Sequence, residues 1–394
     1  MSARDGARVS QGLSRNLAME FRRKIETGQW ASGQRLPTTR ELAATYQVSV
    51  NTIQGAFRVL EAHDLVDRRP RRGGFVKLPS SRREMSKATT VGFVGVFADP
   101  AHETDASEWT QRIVHGADQE LLDAGYHPSL FSYSVNATGE VERLLAKIDP
   151  SAETLGGMVL FLSPAICGLT DELDKREIPW ITINRIHEHA SQNFVTQDAF
   201  TAARLIGRCL ARMKVHRVAV LSDAMTPGKS SADKFFGLIQ GCVERGMPSR
   251  SIDYLASGGF LEQDGYDQME EYVKQFGPPG VVFASGDLLA IGAIRCLRER
   301  KLKVPSQVGV IGATGLRMGE YTHPSLTVMA NPMERMGQEA ARMLLQMSRE
   351  NVSRLIGRYV PAPLIVRESF VIPQELIEEE SAGLHYSAVR PSRD

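Results

Sequence analysis

The sequence predicts two architectures in one chain. A small α+β head of three helices and a hairpin is followed by a larger α/β body with parallel sheets in two lobes. Three observations predict this. Basic residues crowd the front: 17 of the 47 Lys+Arg but only 8 of the 46 Asp+Glu fall in residues 1–90, leaving 30 and 38 for the rest. The net charge of +1 therefore hides a cationic head and an anionic body. Apolar periodicity also changes near residue 90, from helical spacing to short apolar runs alternating with helix-length segments. Between the two textures lies 79–90, PSSRREMSKATT, which is polar, charged and without period.

In the head, Leu17, Phe21 and Ile25 recur every fourth residue and mark one face of a first helix, which Gly28 is placed to stop. After Leu36 and Pro37, a threonine at 38 or 39 caps a second helix carrying Leu42 and Ala43. Ser49 opens a third, whose apolar Ile53, Ala56, Phe57 and Leu60 fall at i, i+3, i+4 and i+7. Asn51, Gly55 and Arg58 are left on the opposite face, with Gln54 at its flank. Glycine in a surface helix costs ~1 kcal/mol against alanine. That cost is offset if position 55 must approach a duplex closely. Reading a major groove requires such a helix, presenting Asn, Gln or Arg to base edges. Residues 65–69 and 74–78 read as two strands joined by a turn. Arg68, Arg69, Arg71 and Arg72 crowd that turn and repel one another unless phosphates or a narrow groove neutralise them. The alternative is a solvated hairpin on a packing module that binds nothing.

In the body, strands are expected at 91–97, 130–133, 157–162, 180–183, 217–221, 281–284 and 308–311. Helices are expected at 109–124, 199–213, 233–245, 265–276 and 287–300, with Gly125 and Gly246 at the C′ positions of two of them. Such alternation implies parallel sheets covered on both faces. Some 280 residues are too many for one sheet, so two lobes with a cleft are expected. Ligands in such folds bind at the carboxyl ends of strands.

The head resembles the winged helix-turn-helix of the GntR family. The matching segments are 36–43 (LPTTRELA), 48–56 (VSVNTIQGA), 60–66 and 73–76 (GGFV). The resemblance carries the family's DNA contacts onto Arg40, Ser49, Asn51, Thr52 and the wing, here Arg71, Arg72 and Gly73. Arg58 shares the polar face of the third helix. The chain departs from the family at three places: Val50 and Gln54 replace two arginines of the recognition helix, and Arg71 replaces the first wing glycine. On this reading Val50 touches a thymine methyl, Gln54 reads adenine and Arg71 enters the minor groove.

The body resembles the effector domain of LacI-type repressors, itself similar to periplasmic sugar-binding proteins, over nearly all of 91–370. Its most specific stretches are 281–297 (VVFASGDLLAIGAIRCL), 308–345 and 366–369 (VRES). The resemblance implies three crossings between lobes, with lobe one at 91–196 plus 329–350 and lobe two the remainder. It places ligand contacts on Trp109, Arg185, Lys234 and Asp287, with Thr314 nearby. Each has a plainer reading: Trp109 as a half-buried packing residue, Asp287 as a helix cap, and Lys234 and Arg185 as solvated charges. Gly286 and Thr314 stand where sugar-binding relatives carry Asn and Asp, and the first loop, 98–108, is longer than usual. Both features point away from a simple hexose.

Other classes are disfavoured. Cys167, Cys209, Cys242 and Cys296 show no CxxC spacing and sit in apolar stretches, so they read as inert buried thiols. No signal-peptide core and no apolar run of ~20 residues occurs, so a cytoplasmic location without membrane contact is expected. Pro227 to Ser230 echoes the end of a phosphate loop, but Asp223 stands where its first glycine should be. No metal site, cofactor or catalytic constellation is legible, and Ser230 and Ser231 can cap a helix or bind ligand. The expected organisation is head 1–78, linker 79–90, ligand-binding body 91–370 and a partly disordered tail 371–394. The expected function is a transcriptional repressor. It acts as a homodimer on a pseudo-palindromic operator with half-sites ~10 bp apart, and a small sugar-like metabolite sets its affinity. The alternative is a metabolite-binding module with no transcriptional role.

Overall fold

The computed structural model describes residues 14, 17, 18, 20, 21, 24, 25, 30, 33–46, 48–62, 65–69, 73–76, 89–97, 106–134, 138–161, 166, 168–184, 193–223, 230–257, 259–350 and 357–384. Gly28, Arg71, Arg72, Cys167, Arg185, most of the long first loop, nearly all of the linker and the last ten residues lie outside them.

In the head, the described positions among residues 14–25 are helical, and Leu17, Phe21 and Ile25 are buried as their spacing predicts. Helices α1 (Thr39–Thr45) and α2 (Val50–Ala62) follow, then the antiparallel hairpin β1 (Val66–Arg69) and β2 (Gly73–Val76). Thr38 is the cap of α1. Its hydroxyl accepts from Glu41 N–H at 3.2 Å while Glu41 Oε2 accepts from Thr38 N–H at 2.7 Å, a reciprocal capping box. Phe21 is the hub of the core, with ring centroids 5.2 Å from Trp30, 5.3 Å from Tyr46 and 5.9 Å from Phe57. Residues 33–36 lie along β2, with Leu36 N–H on Gly74 O and Val76 N–H on Gln34 O, so the wing is braced on its inner edge.

The described residues of the body form two six-stranded sheets. Lobe one holds β3 (Thr90–Gly95), β4 (His127–Ser132), β5 (Leu155–Leu160), β6 (Trp180–Ile183), β7 (Phe194–Asp198) and β13 (Arg358–Pro361) in the order β13-β7-β6-β5-β3-β4, all parallel. Helices α3 (Ala106–Asp123) and α10 (Met333–Glu350) cover one face, and α4 (Glu140–Ile148) and α5 (Leu169–Lys175) the other. Lobe two holds β8 (Val218–Asp223), β9 (Ile252–Ser257), β10 (Val281–Ala284), β11 (Gly309–Gly312), β12 (Thr327–Met329) and β14 (Leu364–Ile365) in the order β14-β12-β11-β10-β8-β9. Among these strands only the β12–β14 pair is antiparallel. Helices α6 (Ala199–Arg212), α7 (Ser230–Glu244) and α11 (Gln374–Ser381) pack on one face, and α8 (Glu262–Phe276) and α9 (Asp287–Glu299) on the other.

Glycines let the α6 and α7 backbones touch. A Cβ on Gly207 would lie 2.2 Å from Leu238 O, one on Gly237 2.3 Å from Phe200 O, and one on Gly241 2.0 Å from Arg204 O. Gly125 and Gly246 end their helices at φ +82° and +85°, as C′ glycines do.

Two boundaries differ from expectation. The chain crosses between lobes three times, but at 198–199, 330–332 and 362–363. Residue 329 ends a strand of lobe two, and lobe one gains β13. Residues 371–384 are not a tail either. Ile372, Ile377 and Leu384 are buried in the lobe-two core, and Glu380, 1% exposed, accepts from Arg212 Nη1 at 2.9 Å and Arg245 Nε at 2.6 Å. The acidic run that suggested a solvated segment is instead matched to arginines of α6 and the end of α7. Cys209, Cys242 and Cys296 are free and buried; burial pushes the first two thiols up to about 12.

Candidate nucleic-acid interface and ligand cleft

The α2 helix carries the head's candidate contacts. Its apolar side, Ile53, Ala56, Phe57 and Leu60, is at most 3% exposed. Arg40, Ser49, Asn51 and Arg58 are exposed, Val50 is 37% exposed, and Gln54 is half-buried at the flank. An exposed valine at the start of a polar face has no packing explanation, and a thymine methyl is a fitting neighbour. Ser49 caps α2, accepting from Thr52 N–H at 3.1 Å. The first turn of α2 holds no acidic residue, so the positive end of its dipole is left for an anion. Gly73 begins β2 next to the outlying Arg71 and Arg72.

Two expectations are corrected here. Thr52 is 5% exposed and its hydroxyl lies 2.8 Å from Ser49 Oγ, so it positions the cap and presents nothing to a duplex. Gly55 is small for an internal reason. A Cβ there would lie 2.5 Å from Ser14 Oγ, whose hydroxyl donates to Thr52 O at 3.0 Å. The close approach is with the chain's own first helix.

In the body, the carboxyl ends of both sheets face the crossings, so loops following the strands line the space between lobes. Trp109, half-buried in α3, packs edge-on against Phe161 with centroids 5.4 Å apart. Lys234 and Asp287 do come together with Thr314, but facing inward. Lys234, 5% exposed, donates to Ser285 O at 2.8 Å and Ala313 O at 2.9 Å. Asp287, fully buried, accepts from the backbone N–H of Thr314, Gly315 and Leu316 at 3.0, 2.8 and 2.7 Å. Burial pushes its carboxyl up, against those three bonds and the Lys234 charge. Both residues therefore brace the ends of β10 and β11, and the reading of their charged groups as ligand contacts is revised to one of support. Thr314 is 8% exposed beside them.

Five other polar groups are candidates for that role. Asn184 Oδ1 after β6, Gln197 Oε1 in β7, Ser231 Oγ in the first turn of α7, Ser285 Oγ after β10 and Asn331 Oδ1 after β12 are buried and have no hydrogen-bond partner among the described residues. All five stand at the cleft-facing ends of their elements. A buried polar atom left unpaired costs about 1–3 kcal/mol, so these oxygens are candidate contacts for a hydrogen-bonding guest. Phe260, 41% exposed, lies beside them with its ring against Gly286; a Cβ at 286 would lie 3.3 Å from it. Gly286 thus leaves room for an aromatic face. The sequence signal for these residues was an isolated amide or hydroxyl just past an apolar run. Among the described residues no group of His, Cys, Asp and Glu could hold a metal ion, and no helix is long and apolar enough to cross a membrane.

These two sites define a class: a DNA-reading winged head joined to a two-lobed ligand sensor, the layout of a metabolite-responsive transcriptional regulator. Residues 13–76 match the model of bacterial regulatory proteins of the gntR family, and residues 207–370 that of the periplasmic binding protein-like domain. The chain is 25% identical over 366 residues to the arabinose metabolism transcriptional repressor of Geobacillus stearothermophilus, covering 90% of this chain and 96% of that protein. It is 29% identical over 213 residues to the HTH-type transcriptional repressor PurR of Erwinia tasmaniensis, covering 53% of this chain and 62% of that one. In fold it is similar to the transcriptional regulator CelR in complex with cellobiose (TM-score 0.60, 21% identity, 85% of this chain and 100% of that one). It is also similar to a LacI-family regulator from Enterococcus faecium with bound ribose (TM-score 0.59, 20% identity, 73% and 100%).

Proposed function

We propose that the chain is a repressor that binds operator DNA through α2 and its wing and is controlled by a small neutral, hydroxyl-rich metabolite held between the lobes. The observation that carries this reading is the set of five buried oxygens, without partners among the described residues, at the cleft-facing ends of both sheets. Amide and hydroxyl oxygens accept from sugar hydroxyls, and Phe260 offers a flat face for the apolar side of a ring. The relatives' names point the same way, towards arabinose, ribose and cellobiose. The guest is bound and released unchanged, in the cytoplasm.

A homodimer is the working unit. Phe236 and Val243 lie seven residues apart on α7, on one face, and are 53% and 50% exposed; a second copy of the chain covers them. Two measurements test the function. Thermal-shift screening of the full chain against L-arabinose, D-ribose, D-xylose and cellobiose should find a ligand that raises the melting temperature with saturation. Selection from random duplexes should recover a pseudo-palindrome whose affinity falls steeply with salt. A chain that binds a sugar but recovers no sequence would be a binding module without a transcriptional role.

A further inference from the structure

The segment after β11 belongs to lobe two by connectivity, yet both lobes hold it. From lobe two, Asp287 accepts from three successive N–H groups, those of Thr314, Gly315 and Leu316. From lobe one, Arg112 on α3 donates to Gly315 O at 3.0 Å, while its other nitrogens grip Glu334 of α10 at 2.7 and 3.1 Å. One turn earlier on α3, Glu108 Oε1 accepts from Arg317 N–H at 3.2 Å. The Leu316 side chain, 2% exposed, belongs to the lobe-one core with Ile113, Phe161 and Met333. The other two carbonyls are also engaged, Thr314 O by Asn331 N–H at 2.8 Å and Leu316 O by Gly319 N–H at 3.1 Å. Gly315 sits at φ +83°, and a Cβ there would lie 2.6 Å from that of Ala330.

Loops are seldom buried, because each backbone polar group then needs a partner. Here every N–H from 314 to 317 and every carbonyl from 314 to 316 has one, and the partners come from both lobes. We infer that residues 314–317 form a fixed bridge between the lobes, with Asp287 and Arg112 as its two positioning residues. Cleft opening is then a rotation about this bridge and never a parting of the lobes. Lys234 stiffens the footing, since it ties Ala313 O to Ser285 O. The bridge is a property of the fold and stands whether or not the cleft takes the ligand proposed above.

Hydrogen exchange of the full chain without ligand, followed by mass spectrometry, tests it. Arg112→Ala removes the lobe-one grip but leaves the Asp287 bonds. Exchange at the crossing amides of Asp198, Ala199, Ala330, Asn331 and Ala362 should accelerate on the order of tenfold, the loss of a charge-assisted hydrogen bond. The amides of Gly315 and Leu316 should stay protected. Arg112→Lys, which keeps the charge but reaches only one of the two partners, should give a smaller rise. Glu108→Gln keeps an oxygen for Arg317 N–H but loses the charge that faces Arg112 at 3.6 Å, and should give the smallest rise of the three. No rise at the crossings in either Arg112 variant, or a rise confined to α3 and α10, overturns the bridge.

Discussion

Replacing Gly241 with alanine sets two physical effects against each other. Helix propensity alone makes the substitution stabilising by ~1 kcal/mol. The geometry reverses the sign. The new Cβ would lie 2.0 Å from Arg204 O and 2.9 Å from Arg208 N, where ordinary contact begins at 3.4 Å. Helices α6 and α7 must therefore move apart by more than 1 Å along their contact. Separations of 0.5–1 Å already forfeit roughly a quarter to a half of the dispersion energy of the atoms involved. Overpacking of this kind costs about 1–3 kcal/mol, occasionally more. The same movement pulls Arg204 and Arg208 away from Glu244, which they now hold at 2.8 and 2.7 Å. After subtracting the propensity gain and adding the weakened Glu244 ion pairs, a net loss of about 1–2 kcal/mol is expected, or roughly 2–8 °C in melting temperature for a unit of this size. Thermal and urea unfolding followed by far-ultraviolet circular dichroism would measure it. Gly168 is the control: its φ is a negative −78° and an added Cβ would meet nothing within 4 Å, so Gly168→Ala should stay within about 0.5 kcal/mol. A Gly241→Ala protein as stable as wild type or more so would refute the reasoning.

Three other outcomes are expected. Burial raises the Glu244 carboxyl, but hydrogen bonds from Arg204, Gln240 and Arg208 outweigh it and hold the group down at about 2, against an ordinary 4.5. Its contribution to stability is therefore complete above 4.5 and lost as pH falls towards 2; the gap in urea midpoint between wild type and Glu244→Gln should narrow between pH 5 and pH 3. Ending the chain after Phe370 removes Ile372, Ile377, Leu384 and the Glu380 ion pairs. Lobe two should then lose several kcal/mol, on the order of three buried side chains, and bind a hydrophobic dye; an unchanged melting temperature would show the segment to be dispensable. In the head, Asn51→Ala should weaken specific binding by about 1–3 kcal/mol without altering stability. Gln54→Arg should change base preference at one position per half-site, whereas Thr52→Ala should lower the melting temperature of the head.

The sequence was most legible where one physical rule acts alone. Strands 180–183 and 281–284 are found where a short apolar run predicts them, because strands buried on both faces are nearly all apolar, Thr182 being the one polar residue of the two. The head's apolar stripe was equally clear. Strands β12 and β14 were not, since three and two residues at one side of a sheet leave no period to detect. β7 was missed because Thr196 and Gln197 are buried polar residues inside it. The candidate site was less legible than the fold. Family resemblance marked Lys234, Asp287 and Thr52 as functional, but only the direction of a side chain separates a group that meets a guest from one that holds the wall behind it. Gly55 shows the same limit: spacing identified a close approach, not its partner.

The three crossings also have a consequence for synthesis. Lobe one is unfinished until β13 emerges, and lobe two until β14 and α11 follow, so neither can close while the ribosome still holds residues 358–381. The head is different: its core draws only on residues 17–76 and can be complete before either sheet exists. A message broken late would thus release a folded head cut off from the sensor proposed to control it.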